Sequence, residues 1–373
     1  MKIVINATSA RLGGGQTYLI NLLAHLPSQP DLELLVFAPD DLELPNDGRV
    51  QRVRTAWPTT NPLLRTVWEK LRMPAYLRRV KADVLFCPGG VVATRAPAGC
   101  KTVTMFRNMM PFDTRLIQRM PWGLQRIRNL ILRRVMLKSM AHADLTIFIS
   151  EFARGLIESM IRVPAAVTIP HGINERFRTP GTALPRPGRL PPGEYLLYVS
   201  RFDLYKHHCE VVTGYSQLPA ALRARFALVL IGKNNLPEAR RVQELVATLG
   251  LADQVLTLGA VKYADLPAYY NNAAATLFAS SCENCPNILL EALGAGRPML
   301  SSDVMPMPEF GGDAVQYFSP TDPTSIRDAL RRVLESEAEC RRLSVAAADR
   351  AAMFDWASTA ALTWQSITSL ASR

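Results

Sequence analysis

The chain has 373 residues, of which 48% are apolar and 20% charged, and it carries a formal net charge of +11 at pH 7. That length exceeds what one compact core organises, so two domains are expected. No apolar run reaches the roughly 18 to 20 residues that span a bilayer, and "MKIVINATSA" is too short in apolar residues for a secretory leader, so a cytoplasmic location is expected.

The first strand-like run is "KIVIN", followed by "SARLGGGQTYLINLL". Gly13, Gly14 and Gly15 fall between that strand and the helix that "QTYLINLLAHL" predicts, where a backbone without side chains can approach a phosphate or an acceptor closely. A dinucleotide fingerprint needs G-x-G-x-x-G, which this loop lacks, so a nicotinamide enzyme is disfavoured. "LELLVFA" is the next strand. Residues 63–81 then hold six cations against one acid, with Trp68 and Tyr76 interleaved. "ADVLFCP" and "KTVTMF" predict two more strands, the second running into "FRNMMPFD" with Arg107 and Asn108. The stretch 115–138 carries seven cations and no acid. "DLTIFIS" and "AVTIP" close the half, with His171 in "IPHGIN" read as a structural or hinge residue.

Residues 1–180 carry 25 Lys/Arg against 13 Asp/Glu, and the remainder 18 against 19, so the whole positive excess lies in the first half. Such asymmetry points to an anionic surface, and basic amphipathic helices at 63–81 and 115–138 fit a membrane better than nucleic acid, for which no groove-reading motif is present. The proline- and glycine-rich stretch 176–195 cannot belong to a regular element and reads as a break.

"YLLYVS", "FALVLIG", "QVLTLG", "ATLFAS" and "RPMLSS" predict the strands of the second half, with a helix at "RRVQELVATLG". Alternating strands and helices imply an α/β fold with parallel, doubly wound sheets, and there are too many strands for one sheet. The expected division is 1–178 for an N-terminal Rossmann-like domain, 179–193 for a linker and 194–354 for a C-terminal one. A last helix at about 355–373 is expected to pack back on the first domain, offering Trp356, Leu362 and Ile367. Ligands of such sheets bind beyond the carboxyl ends of the strands, so the substrate is expected in the cleft between the domains.

Arg201 and Lys206 follow the first strand of the second domain, where a guanidinium fork and an ammonium suit a diphosphate. "SSCENCPNILLEALGAG" leads from the end of another strand into a helix expected at about 287–295. Its N-terminal N–H groups, over Pro286, Asn287, Ile288 and Leu289, favour a phosphate or a hydroxyl. Glu283 precedes this helix and Glu291 lies about one turn inside it, so both are placed to face one ligand. Cys282 and Cys285 have C-x-x-C spacing, but no second Cys or His pair stands near for a zinc site. The six cysteines are read as buried or loop thiols.

Glu283 to Glu291 as E-x7-E, then Gly294, Gly296 and Pro298, the Arg201/Lys206 pair, and "PMPEFGGDAVQYFSPTD" together resemble the retaining glycosyltransferases of family 4, with the GT-B fold. The "NMMPF" segment is similar to members that build bacterial surface polysaccharides, such as O-antigen. The resemblance implies a nucleotide-sugar donor whose diphosphate is held by Arg201 and Lys206. It also implies that Glu291 accepts from the ribose hydroxyls and that Glu283 binds the donor sugar, aided by backbone N–H groups of 285–288 that include Cys285. Gly14 and Gly15 would border the donor phosphate, and Gly13, Arg107 and Asn108 the acceptor. Many members carry a His where this chain has Arg107 and Asn108. The implied reaction retains anomeric configuration, uses no cofactor or metal (there is no D-x-D), and moves a sugar, leaning to mannose or rhamnose on guanosine diphosphate, to a lipid-linked or saccharide acceptor. The expected location is the inner face of the cytoplasmic membrane. A nucleotide-sugar epimerase and a non-catalytic basic membrane-binding protein are the alternatives.

Overall fold

The computed structural model describes residues 1–11, 13–55, 57 and 60–371. The side chain of Arg119, one cation of the 115–138 stretch, and Ser372 and Arg373 at the end of the expected last helix lie outside the described residues. The chain divides into two units, Met1–Gly172 with Trp356–Arg373, and Ile173–Asp355.

Unit 1 is built on a seven-stranded parallel sheet of order β3-β2-β1-β4-β5-β6-β7: β1 (Lys2–Asn6), β2 (Glu33–Phe37), β3 (Val50–Arg52), β4 (Val84–Cys87), β5 (Lys101–Phe106), β6 (Leu145–Phe148) and β7 (Ala166–Thr168). The helices α1 (Gly14–Ala24), α2 (Pro62–Leu71), α3 (Met73–Val80), α4 (Thr114–Arg119), α5 (Leu124–His142) and α6 (Glu151–Glu158) connect the strands. All four residues of "VLFC" in β4 are buried, as a strand covered on both faces demands. The edge strand β3, "VQR", is short and half polar, and the hydrophobic pattern does not predict it.

Unit 2 carries a six-stranded parallel sheet of order β10-β9-β8-β11-β12-β13: β8 (Glu194–Val199), β9 (Phe226–Ile231), β10 (Val255–Gly259), β11 (Ala275–Phe278), β12 (Met299–Ser302) and β13 (Val315–Phe318). Its helices are α7 (His208–Ser216), α8 (Ala220–Arg225), α9 (Pro237–Thr248), α10 (Leu266–Asn271), α11 (Asn287–Gly294), α12 (Met307–Gly311), α13 (Pro323–Leu334) and α14 (Glu337–Ala351). The edge strand β13, "VQYF", is the second one that the pattern misses.

The division differs from the expected one. It falls between Gly172 and Ile173 rather than at 178, and the Pro/Gly-rich segment belongs to unit 2. The Asn271 side chain holds it there, donating to the Thr179 and Thr182 carbonyls at 3.1 and 2.8 Å and accepting from the Leu184 N–H at 3.1 Å. The last helix, α15 (Trp356–Ala371), packs on α1: the Trp364 indole donates to the Leu22 carbonyl at 3.2 Å, and the Tyr18 and Thr363 hydroxyls are 3.4 Å apart. Trp356, Ala360, Thr363, Trp364 and Ile367 are buried, but Leu362 is exposed, because it stands off that face.

The two basic stretches are not continuous helices. The first is α2 and α3, broken at Arg72 ahead of Pro74, and the second is α4 and α5, broken around Pro121. The Asn61 side chain caps α2 by accepting from the Leu63 and Leu64 N–H groups, and the helix buries Trp68 and Glu69.

Candidate active site

In unit 2, β8 and β11 are neighbours from which the connections run to opposite edges, so the loops at their carboxyl ends open a crevice at the switch point. The loop after β8 ends in a tight turn at Leu204–Lys206, and the loop after β11 runs through Ser280 and Glu283 into α11. Lys206 and Glu283, 77 residues apart, form an ion pair here. Ser280 donates its hydroxyl to the same carboxylate oxygen at 2.6 Å. Backbone and side chains sew the two loops together: the Ser281 N–H donates to the Tyr205 carbonyl at 2.8 Å, and His207 Nε2 lies 2.8 Å from Ser281 Oγ. Lys206 is only 5% exposed, its ammonium 4.7 Å from the Phe278 ring centroid and 5.1 Å from that of Tyr205. The cation is therefore fixed and largely dry, which strengthens its field at the crevice.

Arg201 differs. Its side chain is 65% exposed and its Nε stands 3.5 Å from Asp203 Oδ2, a loose pairing that leaves the guanidinium fork available. What fixes its position is Gly232 at the end of β9. A Cβ there would lie 1.7 Å from the Ser200 carbonyl oxygen and 3.2 Å from the Arg201 nitrogen.

α11 begins at Asn287 with Pro286 as its cap, and no side chain caps it. Pro286 has no N–H to offer, and that of Asn287 goes to the Cys285 carbonyl at 3.0 Å. Of the backbone donors expected over 286–289, Ile288 and Leu289 remain within the first helical turn. Cys282 and Cys285 are both buried. Glu291, one turn in, is partly buried and accepts from the Tyr263 hydroxyl at 2.9 Å. Burial pushes its carboxyl up to about 7, against the hydrogen bond from Tyr263. No hydrogen bond joins Glu283 to Glu291 among the described residues; each is held by its own partners, from different loops.

The raised Glu291 carboxyl makes unit 2 pH-sensitive in one direction. The folded chain keeps a proton that the unfolded chain loses near pH 4.5, so this contribution is full below that value and is lost as pH rises through about 7. Thermal melts are expected to show a larger fall in Tm between about pH 5 and pH 8 for the native chain than for Glu291→Gln, which has no proton to lose.

In unit 1 the loops after β1 and β5 meet. A Cβ on Gly15 would lie 3.4 Å from Ala10 Cα and 3.7 Å from an Arg107 guanidinium nitrogen. Arg107 stands over the Tyr18 ring at 5.4 Å. Gly13, at φ 63°, makes the left-handed step into α1, and Gly14 begins the helix. Asn108 accepts from the Met110 N–H at 3.3 Å, a local turn contact. His171 is buried, stacked on Trp356 at 5.3 Å and 5.5 Å from the Tyr18 ring.

Several residues escaped the sequence reading. Tyr263, Ser280 and His207 hold the site residues, and Gly232 shapes the loop carrying Arg201. In unit 1, Asn6 at the end of β1 donates to the buried Glu69 carboxylate at 2.9 Å and accepts from Thr8 at 2.9 Å. Glu69 is the single acid of the 63–81 stretch, a signal that the cation count hid.

The chain matches two family profiles in succession, "Glycosyltransferase Family 4" over residues 12–177 and "Glycosyl transferases group 1" over 185–350. Among curated relatives, it is 32% identical over 180 residues to the serotype-specific mannosyltransferase WbdA of Escherichia coli, covering 48% of this chain and 22% of that protein. It is 27% identical over 225 residues to the O-antigen chain mannosyltransferase B of Escherichia coli, covering 59% of each. The matched stretch thus spans about a fifth of the length of the first relative and well under two thirds of the second. Among solved structures, sucrose-phosphate synthase from Thermosynechococcus elongatus superposes over 99% of both chains with a TM-score of 0.77 at 18% identity, a likeness of fold. Taken with two parallel-sheet units that each present their loops at a switch point, these matches show that the chain belongs to the glycosyltransferases of the GT-B fold, Family 4 through its first unit and group 1 through its second.

Proposed function

We propose that the chain is a retaining glycosyltransferase that moves a mannosyl or rhamnosyl residue from a guanosine-diphosphate sugar to a lipid-linked or growing saccharide acceptor in bacterial surface-polysaccharide synthesis. The observation that carries this reading is the fixed Lys206 ammonium at the β8/β11 switch point, with the open guanidinium of Arg201 on the same loop. The names of the two mannosyltransferase relatives support the choice of sugar.

In this reading the bond from the anomeric carbon to the leaving diphosphate breaks while the acceptor oxygen bonds to the same face of the sugar. The acceptor hydroxyl gives its proton to the departing phosphate oxygen. Negative charge grows on the diphosphate, and Arg201, Lys206 and the first-turn N–H groups of α11 stabilise it there, the work a metal ion does in other enzymes. Glu283 accepts from a hydroxyl of the donor sugar, since a carboxylate offers two strong acceptors and no competing donor, and Glu291 accepts from the ribose hydroxyls through acceptor capacity that its carboxyl keeps in either protonation state. No metal or cofactor is required. Peripheral association of unit 1 with the anionic inner face of the cytoplasmic membrane completes the reading. It is supported by Leu63 and Trp122, each 77% exposed, and Leu124, 89% exposed, beside the cations of α2 and α5. Nucleic acid is not a partner.

The test is incubation of the purified chain with sugar nucleotides and a saccharide acceptor, following release of the nucleoside diphosphate and the anomeric form of the product. Release from GDP-mannose that depends on acceptor is expected; release from no sugar nucleotide would overturn the reading. Arg201→Ala, at an exposed position, is expected to leave Tm unchanged and to weaken nucleotide binding and turnover by about tenfold to a hundredfold, the cost of one charge-assisted contact.

A further inference from the structure

Two described residues other than glycine enter the left-handed backbone region, Lys81 at an exposed helix end and His207 directly after Lys206. His207 stands at φ 50° and ψ 38° and is 3% exposed. Glycine takes this conformation freely, whereas a Cβ disfavours it, so a buried histidine here needs a contact that offsets the strain. The imidazole supplies one by reaching across to the loop after β11. Its Nε2 lies 2.8 Å from Ser281 Oγ, and its Nδ1 lies 3.4 Å from Glu210 Oε1 in the first turn of α7. A carboxylate facing Nδ1 favours the ring proton there, which leaves Nε2 to accept from the Ser281 hydroxyl. The link falls beside both halves of the charged pair. His207 adjoins Lys206, and Ser281 stands between Glu283 and Ser280, the donor to the Glu283 carboxylate. The other side of Lys206 is held separately. The Tyr198 hydroxyl donates to the Lys206 carbonyl at 2.5 Å, and His208 is stacked between Tyr198 at 4.6 Å and Phe202 at 4.2 Å. Neither His208 nitrogen has a hydrogen-bond partner among the described residues, and burial, then the Lys206 and His207 charges, pushes that imidazole down to about 3. Packing as an uncharged plate accounts for His208; it does not account for a left-handed His207.

We propose that His207 is a positioning residue: through Ser281 it fixes the separation of the loops that carry Lys206 and Glu283, and so holds the ammonium where the leaving diphosphate gathers charge. The role given to Lys206 rests on the glycosyltransferase reading; the link between the loops does not.

His207→Gly separates this role from that of a turn residue, because glycine takes the left-handed step without strain. Were the backbone step all that mattered, turnover would be unchanged. Instead kcat is expected to fall about tenfold to a hundredfold, the effect of a slightly misplaced group, with KM for the acceptor unchanged. Ser281→Ala breaks the link from the other side. It is the safer variant for folding, since Ser281 is half-buried and its backbone N–H still donates to the Tyr205 carbonyl, and it decides alone should His207→Gly not fold. It is expected to cost a similar factor, and the double variant His207→Gly/Ser281→Ala no more than the larger single loss. Full turnover of Ser281→Ala, or losses that multiply in the double variant, would overturn the proposal. The same coupling is read without turnover in thermal melts. In the Lys206→Ala/Glu283→Gln background no pair remains to be placed, so Ser281→Ala is expected to lower Tm by less than half of its effect in the native chain. Equal shifts in the two backgrounds would overturn the positioning role. Absence of transfer from every sugar nucleotide, with that difference in Tm intact, would sink the proposed function and leave the link between the loops standing.

Discussion

Lys206→Ala is expected to lower turnover by about 100- to 1000-fold, the loss that follows removal of one preorganised charge from a site where charge develops. Two effects combine. In the proposed reading the diphosphate loses its buried cation, and Glu283 loses its counterion while keeping, among the described residues, the Ser280 hydroxyl. Breaking a buried pair from one side costs about 3 to 5 kcal/mol because a charge is left uncompensated. The double variant Lys206→Ala/Glu283→Gln separates the two contributions. Removing both charges is expected to restore most of the lost Tm, while turnover stays low because no ammonium faces the leaving group. Steady-state kinetics and thermal melts on the three proteins supply the check. Recovery of turnover along with Tm would mean that the pair is a structural brace alone. An equal fall in kcat and in kcat/KM would place the missing contact in the transition state.

Gly232→Ala is the second large effect. The added methyl would lie 1.7 Å from the Ser200 carbonyl oxygen and 2.6 Å from its carbon, and both are backbone atoms of the residue before Arg201. No rotamer change relieves such a contact, so the end of β8 or the end of β9 must move. A cost of about 3 kcal/mol or more is expected, with nucleotide affinity falling by more than tenfold because the displaced loop carries Arg201 and Lys206. Gly188→Ala is the control, since nothing lies within 4 Å of a Cβ at that exposed glycine. Melting temperatures and calorimetry with GDP distinguish the two substitutions. Wild-type values for both measurements in Gly232→Ala would show that the sheet yields where its packing says it cannot.

The parts legible in the sequence are those whose signal is local. Runs such as "VLFC" and "FALVLI" are apolar along their whole length because both faces of a parallel sheet are covered, and the strands lie where those runs predict. The edge strands β3 and β13 were invisible for the opposite reason: each short run is only partly buried and is interrupted by polar residues, Gln51 and Arg52 in one and Gln316 in the other. At the site, Arg201, Lys206, Glu283 and Glu291 stand out through strand ends and spacing. Their partners do not, because tertiary contact makes them. Tyr263 meets Glu291 across 28 residues, His207 meets Ser281 across 74, and Gly232 is constrained by a carbonyl on the neighbouring strand. Glu69 was hidden by arithmetic. Within a run of cations a lone acid lowers the count by one, and only the fold shows that it is the buried residue holding Asn6.

The last feature is the path of the chain. Unit 2 is one uninterrupted segment, whereas unit 1 recruits α15 from beyond it, and Tyr18 and Leu22 of α1 are covered by residues more than 340 positions later. On the ribosome, the half that is made first is therefore the half completed last. Its α1 surface waits, uncovered, through the synthesis of an entire second unit, and a stop codon anywhere before α15 strands it in that state.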